Sequence, residues 1–280
     1  MTDRTVATAA ETEWVAPKRR RLVNLRNFPT FTFMSWAVLF FLYLPLLHVV
    51  IYSFNSSRIA TIWESPSVKW YIKTFHNDDI QRALINSFQI AIGATIFSTV
   101  LAVLAALGLQ RMKRAGSTVA WALIGAPLII AEIVLAVGTL GFFMAVGIPL
   151  GKVGMTVAHT AFCIPFALIP IRARLGQLDN APFEAAADLG ANESQILRKI
   201  TLPLLSPAII SGALLAFAIS IDDFITSFFL SGPSSTTLPV YIFGMIRSTV
   251  TPEVDAISTL LLLFSGIVLI SSYILNRRRR

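Results

Sequence analysis

The stretch EAAADLGANESQILRKITLP, residues 184–203, is polar, carries charges of both signs, and lies between two strongly apolar runs. Connections between packed elements are usually a few residues long, yet this one occupies residues 172–206. Its residues predict two short helices rather than a slack loop. Pro182 suits a first helical turn, Glu184 complements the positive end of a helix, and Ala185, Ala186 and Ala187 are the best helix formers. Gly190 stands where a helix ends in a left-handed residue. Asn192 then offers an N-cap with Gln195 three positions on, the spacing of a capping box. A second helix is expected through Ile196 and Ile200 until Pro203 stops it. Two stiff helices joined by a tight turn transmit a push where a slack linker does not. The plainer alternative is an amphipathic hairpin lying on a membrane surface.

The rest of the chain explains why a membrane enters the argument. Of 280 residues, 55% are hydrophobic and 14% charged, well below the quarter charged of a soluble domain. Six segments are long and apolar enough to cross a bilayer as helices: about 31–54, 84–109, 119–146, 155–171, 207–230 and 256–275. The expected fold is all-α and integral to the membrane: a tail over 1–30, a first transmembrane helix over 31–54 and a core over 82–275. Pro165 and Pro170 predict a kink in the fourth span. The tail carries Lys18, Arg19, Arg20 and Arg21, but the apolar run after it is too long, and lacks a cleavage pattern, for a removable leader.

The net charge of +8 is distributed as membrane topology requires, not as a phosphate-binding face, and nucleic acid is not an expected partner. With the N-terminus inside, seventeen lysines and arginines fall on the inner side and six (Arg58, Lys69, Lys73, Arg82, Lys152, Arg247) on the outer. Both termini and the 184–203 stretch are therefore expected in the cytoplasm. The single cysteine, Cys163, permits no intrachain disulfide and reads as a packing residue. His48, His76 and His159 lie too far apart in sequence to suggest a metal site. Gly147–Lys152 is the nearest approach to a phosphate-binding loop. Its glycine spacing is one short and it lacks the hydroxyl that would bind magnesium, so ATP chemistry is not expected in this chain.

Three acids fall inside expected spans: Glu132 in the third, Asp222 and Asp223 in the fifth. Each costs about 2.5–3.5 kcal/mol at a helix centre on insertion scales, which makes an intramembrane acid a functional candidate. Successive helical residues diverge by about 100°, so Asp222 and Asp223 cannot face one site together. One would face a pathway while the other bonds to a neighbouring helix or caps a local break. The structural alternative pairs them with serines, waters or Arg247. No basic residue lies inside any span to neutralise them, so together the acids suggest a path for a cation. Trp63, Trp70, Tyr71 and Phe75, after the first span, read either as the lining of an entrance or as an interfacial aromatic belt.

Glu-Ala-Ala, three residues, Gly, nine residues, Ile-x-Leu-Pro resembles the coupling loop in permease subunits of binding-protein-dependent ABC importers. Glu184, Ala185, Ala186, Gly190, Ile200, Leu202 and Pro203 occupy every fixed position. The resemblance implies that Glu184 to Gly190 form a coupling helix, between spans four and five, that inserts into a cytoplasmic ATPase. Further stretches resemble the polyamine branch, putrescine-type permeases above all: Tyr43-Leu-Pro45, Ile51-Tyr-Ser-Phe-Asn-Ser-Ser57, Ser220-Ile-Asp-Asp-Phe224, Ser231-Gly-Pro, Thr236-Thr-Leu-Pro239 and Thr251-Pro-Glu253. Ala131 departs from the proline that relatives tend to carry before Glu132.

What this implies is a multi-pass permease in a bacterial inner membrane, not itself an enzyme. It would work with two copies of an ATPase that binds the ATP, a second homologous permease and an extracytoplasmic polyamine-binding protein. Permeases for spermidine, ferric iron or another small solute share the coupling motif. A membrane scaffold that recruits a soluble partner is the alternative of a different class.

Overall fold

The computed structural model describes residues 29–59, 62–248 and 251–277; the expected tail lies almost entirely outside them. Up to Leu46 the chain forms a unit of its own, whose described part belongs to α1 (Pro29–Tyr52), a helix apolar on every side with Pro45 inside it. Such a helix has no polar face to turn to water.

The second unit, from Leu47 on, holds α2 (Lys69–Phe75), α3 (Asp78–Arg111), α4 (Arg114–Gly125), α5 (Glu132–Val146), α6 (Lys152–Leu175), α7 (Ala181–Asp188), α8 (Glu193–Ile196), α9 (Leu202–Asp222), α10 (Ile225–Leu230), α11 (Leu238–Ser248) and α12 (Pro252–Arg277). Its centre is the mutual packing of α3, α6 and α9. Lipid gives helices no hydrophobic reason to associate, so close packing through small residues must hold them. Ala102, Ala106, Ala167 and Ala216 are fully or almost fully buried there, interleaved with Leu168, Ile171 and Leu205. Gly212 lets α9 touch the α6 backbone: a Cβ built on it would lie 2.6 Å from the Ala167 carbonyl oxygen. Cys163 is buried in the same seam, its thiol 3.5 Å from the Ala216 carbonyl.

Among the described residues four helices are long and apolar enough to cross a membrane: those over 32–52, 78–111, 152–175 and 193–222. The third expected span is not one helix. It breaks at 129–131, and α4 with its short 3-10 extension meets α5 at 102°. The run is apolar apart from Glu132, and Pro127 just ahead of the break is its local sign in the sequence; Ala131 leaves helical geometry with ψ 131° and Glu132 starts a new helix. The fifth expected span is broken as well, ending α9 at Asp222 and resuming as α10 at Ile225. The sixth lies in α12, part of whose side chains falls outside the described residues.

Pro203 does not stop the second loop helix. α8 runs through a π turn at Leu197–Thr201 straight into α9, where Pro203 sits in the first turn. Proline is tolerated there because its missing N–H is not needed. The wider π loop passes the bond one residue along, from the Leu202 N–H to the Leu197 carbonyl.

The segment after α1 is ordered by Asn55, which is fully buried. Its amide donates to the Ile62 carbonyl at 2.6 Å and accepts from the Ser57 and Glu64 N–H groups. The Trp70 indole donates to the Asn55 carbonyl at 2.8 Å, and Lys69 and Lys73 lie over its ring. The four aromatics therefore do not act as one set: Trp70 is buried structure, the Tyr71 hydroxyl bonds Ser53, and Trp63 and Phe75 remain exposed.

Candidate functional site

The two broken spans meet. α10 packs on α5 and α6, bringing together Asp223 at the α9–α10 break, Glu132 at the start of α5, and His159 from the middle of α6. Asp223 ends α9 in extended conformation, with ψ 118°. Its Oδ2 accepts from the Ser227 N–H at 2.9 Å and the Ser227 hydroxyl at 3.3 Å, which gives the new helix a partner for one of its orphan donors.

The same oxygen lies 3.1 Å from His159 Nε2, with both side chains almost wholly sealed (2% and 1% exposed). The other ring nitrogen, Nδ1, is 2.8 Å from the Ser220 hydroxyl. A hydroxyl both donates and accepts, so Ser220 suits either the neutral ring or the imidazolium. Asp223 Oδ1 is buried and takes no donor. The Glu132 carboxyl, only partly buried, is near enough to Asp223 for the two to feel each other electrostatically, and neighbouring carboxylates disfavour each other's ionised form unless a proton or another cation offsets them.

Asp222 points elsewhere. It is exposed, and its closest partner is the Ser265 hydroxyl on α12 at 3.4 Å. The two neighbouring acids thus differ in role. The expectation that the acids lack an intramembrane base is corrected here: His159 is that base. Its signal in the sequence is an ionisable ring inside an apolar span, which metal-ligand spacing alone does not reveal. Among the described residues no three His, Cys, Asp or Glu side chains gather as metal ligands would.

The 184–203 stretch forms a hairpin at the opposite end of α9. Glu184, Ala185 and Ala186 lie on α7, and Gly190 turns the chain with φ 81°. The Asn192 side chain accepts from the Gln195 N–H and the Gln195 side chain from the Asn192 N–H, both at 2.9 Å. Ile200 lies in the π turn; Leu202 and Pro203 open α9. Leu189 at the tip is 88% exposed. An open groove of about 960 Å³ separates the hairpin from the ends of α3 and α6, lined among others by Arg111, Leu175, Phe183, Glu184 and Leu197. Across it Arg111 bonds Glu193 at 3.0 Å.

A family model described as the binding-protein-dependent transport system inner membrane component matches residues 98–280. Over 254 residues the chain is 39% identical to the spermidine/putrescine transport system permease protein PotC of Haemophilus influenzae, spanning 91% of this chain and 97% of that one. It is also 39% identical over 248 residues to the putrescine transport system permease protein PotI of Escherichia coli K12, spanning 86% and 88%. Among solved structures, a bacterial ABC transporter involved in the import of the acidic polysaccharide alginate superposes with a TM-score of 0.66 at 17% identity, over 86% of this chain and 93% of its own. The methionine ABC transporter MetNI, inward facing, gives 0.60 at 17% identity, over 70% and 94%. At that identity the likeness speaks for the fold alone.

Proposed function

The chain belongs to the binding-protein-dependent transport system inner membrane component family, and from that premise we propose that it is one permease subunit of an ATP-driven polyamine importer. The observation that carries the substrate class is identity of 37–39% over most of the chain to permeases named for spermidine and putrescine. The intramembrane acids supply a physical reason, since a diamine protonated at both ends needs anionic partners along its path. Asp222 would meet it on the open face, and Glu132 with Asp223 at the paired breaks. Putrescine is the first cargo to test and spermidine the second.

In this reading the chain has six spans with both termini inside, α12 being the sixth and the broken α4–α5 pair the third. The 184–203 hairpin docks into a cytoplasmic ATPase: Glu184, Ala185, Ala186 and Gly190 form the inserted helix and turn, and Ile200, Leu202 and Pro203 join it to α9. ATP binding by the ATPase pair would draw the hairpins together and open the path outward, and hydrolysis would reset it. A second, homologous permease completes the path, and an extracytoplasmic binding protein delivers cargo. The test is uptake of labelled putrescine and spermidine into cells with and without the gene. Equal uptake of both with and without it defeats the polyamine reading.

A further inference from the structure

We propose that His159 stands in for the cargo: its imidazolium holds the buried Asp223, beside Glu132, while no cargo is there, and a primary ammonium group takes the same carboxylates when the α9–α10 break opens. The inference rests on the polyamine reading above and says how that site is regulated.

Three observations converge. Glu132 is an electrostatic neighbour of Asp223, Asp223 Oδ1 is buried without a donor, and a cation offsets the repulsion between two such carboxylates. His159, when protonated, is the cation at hand, its Nε2 3.1 Å from Asp223 Oδ2. Ser220 accepts from a protonated Nδ1 and donates to a neutral one from the same position, 2.8 Å away, so the ring need not move to change charge.

The surroundings leave few other titratable partners. α3, packed against α6, carries no ionisable side chain between Arg82 and Arg111. α6 itself adds only Cys163 near the cluster, and α10 adds the hydroxyl of Ser227. Asp222 faces Ser265 instead. Charge balances across the exchange. With His159 protonated and both carboxylates ionised the cluster carries one net negative charge. With an ammonium bound and His159 neutral it carries the same, one proton having left to water as one ammonium group entered.

A buried histidine that merely bonds Asp223 predicts no such exchange, and pH separates the two roles. Uptake of labelled putrescine at a concentration well below half-saturation is measured in cells from about pH 8 to about pH 5, the range over which imidazole takes up its proton, and normalised to membrane protein level. His159→Gln keeps a neutral donor to Asp223 but cannot compete as a cation. The ratio of variant to wild-type uptake should rise about tenfold toward the acid end, because only the wild type is held shut by its own proton. His159→Lys, a tethered ammonium, should insert and carry less than about a tenth of wild-type flux at every pH.

A constant ratio, or wild-type flux through His159→Lys, overturns the proposal. Should His159→Gln not accumulate, the wild type decides alone. Putrescine added to the purified, weakly buffered complex should release about one proton per permease chain at neutral pH, and no release at concentrations that bind overturns the exchange. Failure of the wild type to carry any polyamine at any pH defeats the functional reading itself. Carriage with a profile unchanged by His159→Gln defeats this inference alone.

Discussion

Asp222 and Asp223 are neighbours with opposite surroundings, and single substitutions should separate them. Asp222 is exposed, with one long bond to Ser265, so Asp222→Asn should leave membrane abundance unchanged. Losing a charge-assisted contact to an ammonium group removes roughly 1.5–3 kcal/mol, and putrescine uptake should fall about tenfold or more. Asp223 holds His159 and the start of α10 at once. Breaking a buried pair by removing one partner costs about 3–5 kcal/mol, so Asp223→Ala should lower both abundance and uptake. Uptake against cargo concentration, normalised to membrane level, reads both. Wild-type transport by both variants removes the acids from the path. The acids were legible in the sequence because any charge inside an apolar run is conspicuous. Their division of labour was not, since it depends on a break in α9 and on a histidine 64 positions away on α6.

At the scale of elements, the hairpin was the most legible part of the chain. Gly190, Asn192 and Gln195 act within a few residues of themselves, so local chemistry was enough to describe their turn and cap. The breaks were hard to read because apolar composition is much the same for a straight helix and a bent one; Pro127 was the local sign in the third span. Pro203 misled for a related reason: whether a proline ends a helix or opens one depends on the turn before it. Two predictions belong here. Glu184→Arg or Gly190→Val should leave the protein inserted while cargo-stimulated ATP hydrolysis by the assembled complex is lost; a β-branched residue is strained at φ 81°, and normal stimulation in both would remove the hairpin from the ATPase interface. Gly212→Val should push α9 off α6, because its Cβ would meet the Ala167 carbonyl oxygen at 2.6 Å. Overpacking of this kind costs about 1–3 kcal/mol, visible as a lower melting temperature of the detergent-solubilised protein.

For the whole molecule, the question is what a single chain leaves unfinished. Asp222 lies open on α9, a position that one subunit alone cannot enclose. A second permease facing it would turn an exposed carboxylate into the wall of a path. Purification of the tagged chain under mild detergent should therefore bring with it a homologous permease and an ATPase. Recovery of the chain with some other soluble protein and no ATPase would favour a scaffold.

The hairpin and the buried site sit at the two ends of one continuous helix, Glu193–Asp222, whose 30 residues extend about 45 Å at the usual rise per residue. Such a rod is a lever. Tilted by about 5° at the hairpin, it swings its far end by about 4 Å on that length. The contact between His159 and Asp223 spans 3.1 Å. A tilt of that size, were α6 not to follow α9, would be large enough to part the two side chains. The lever's arm, rather than any change within the site, would set when the acid is free.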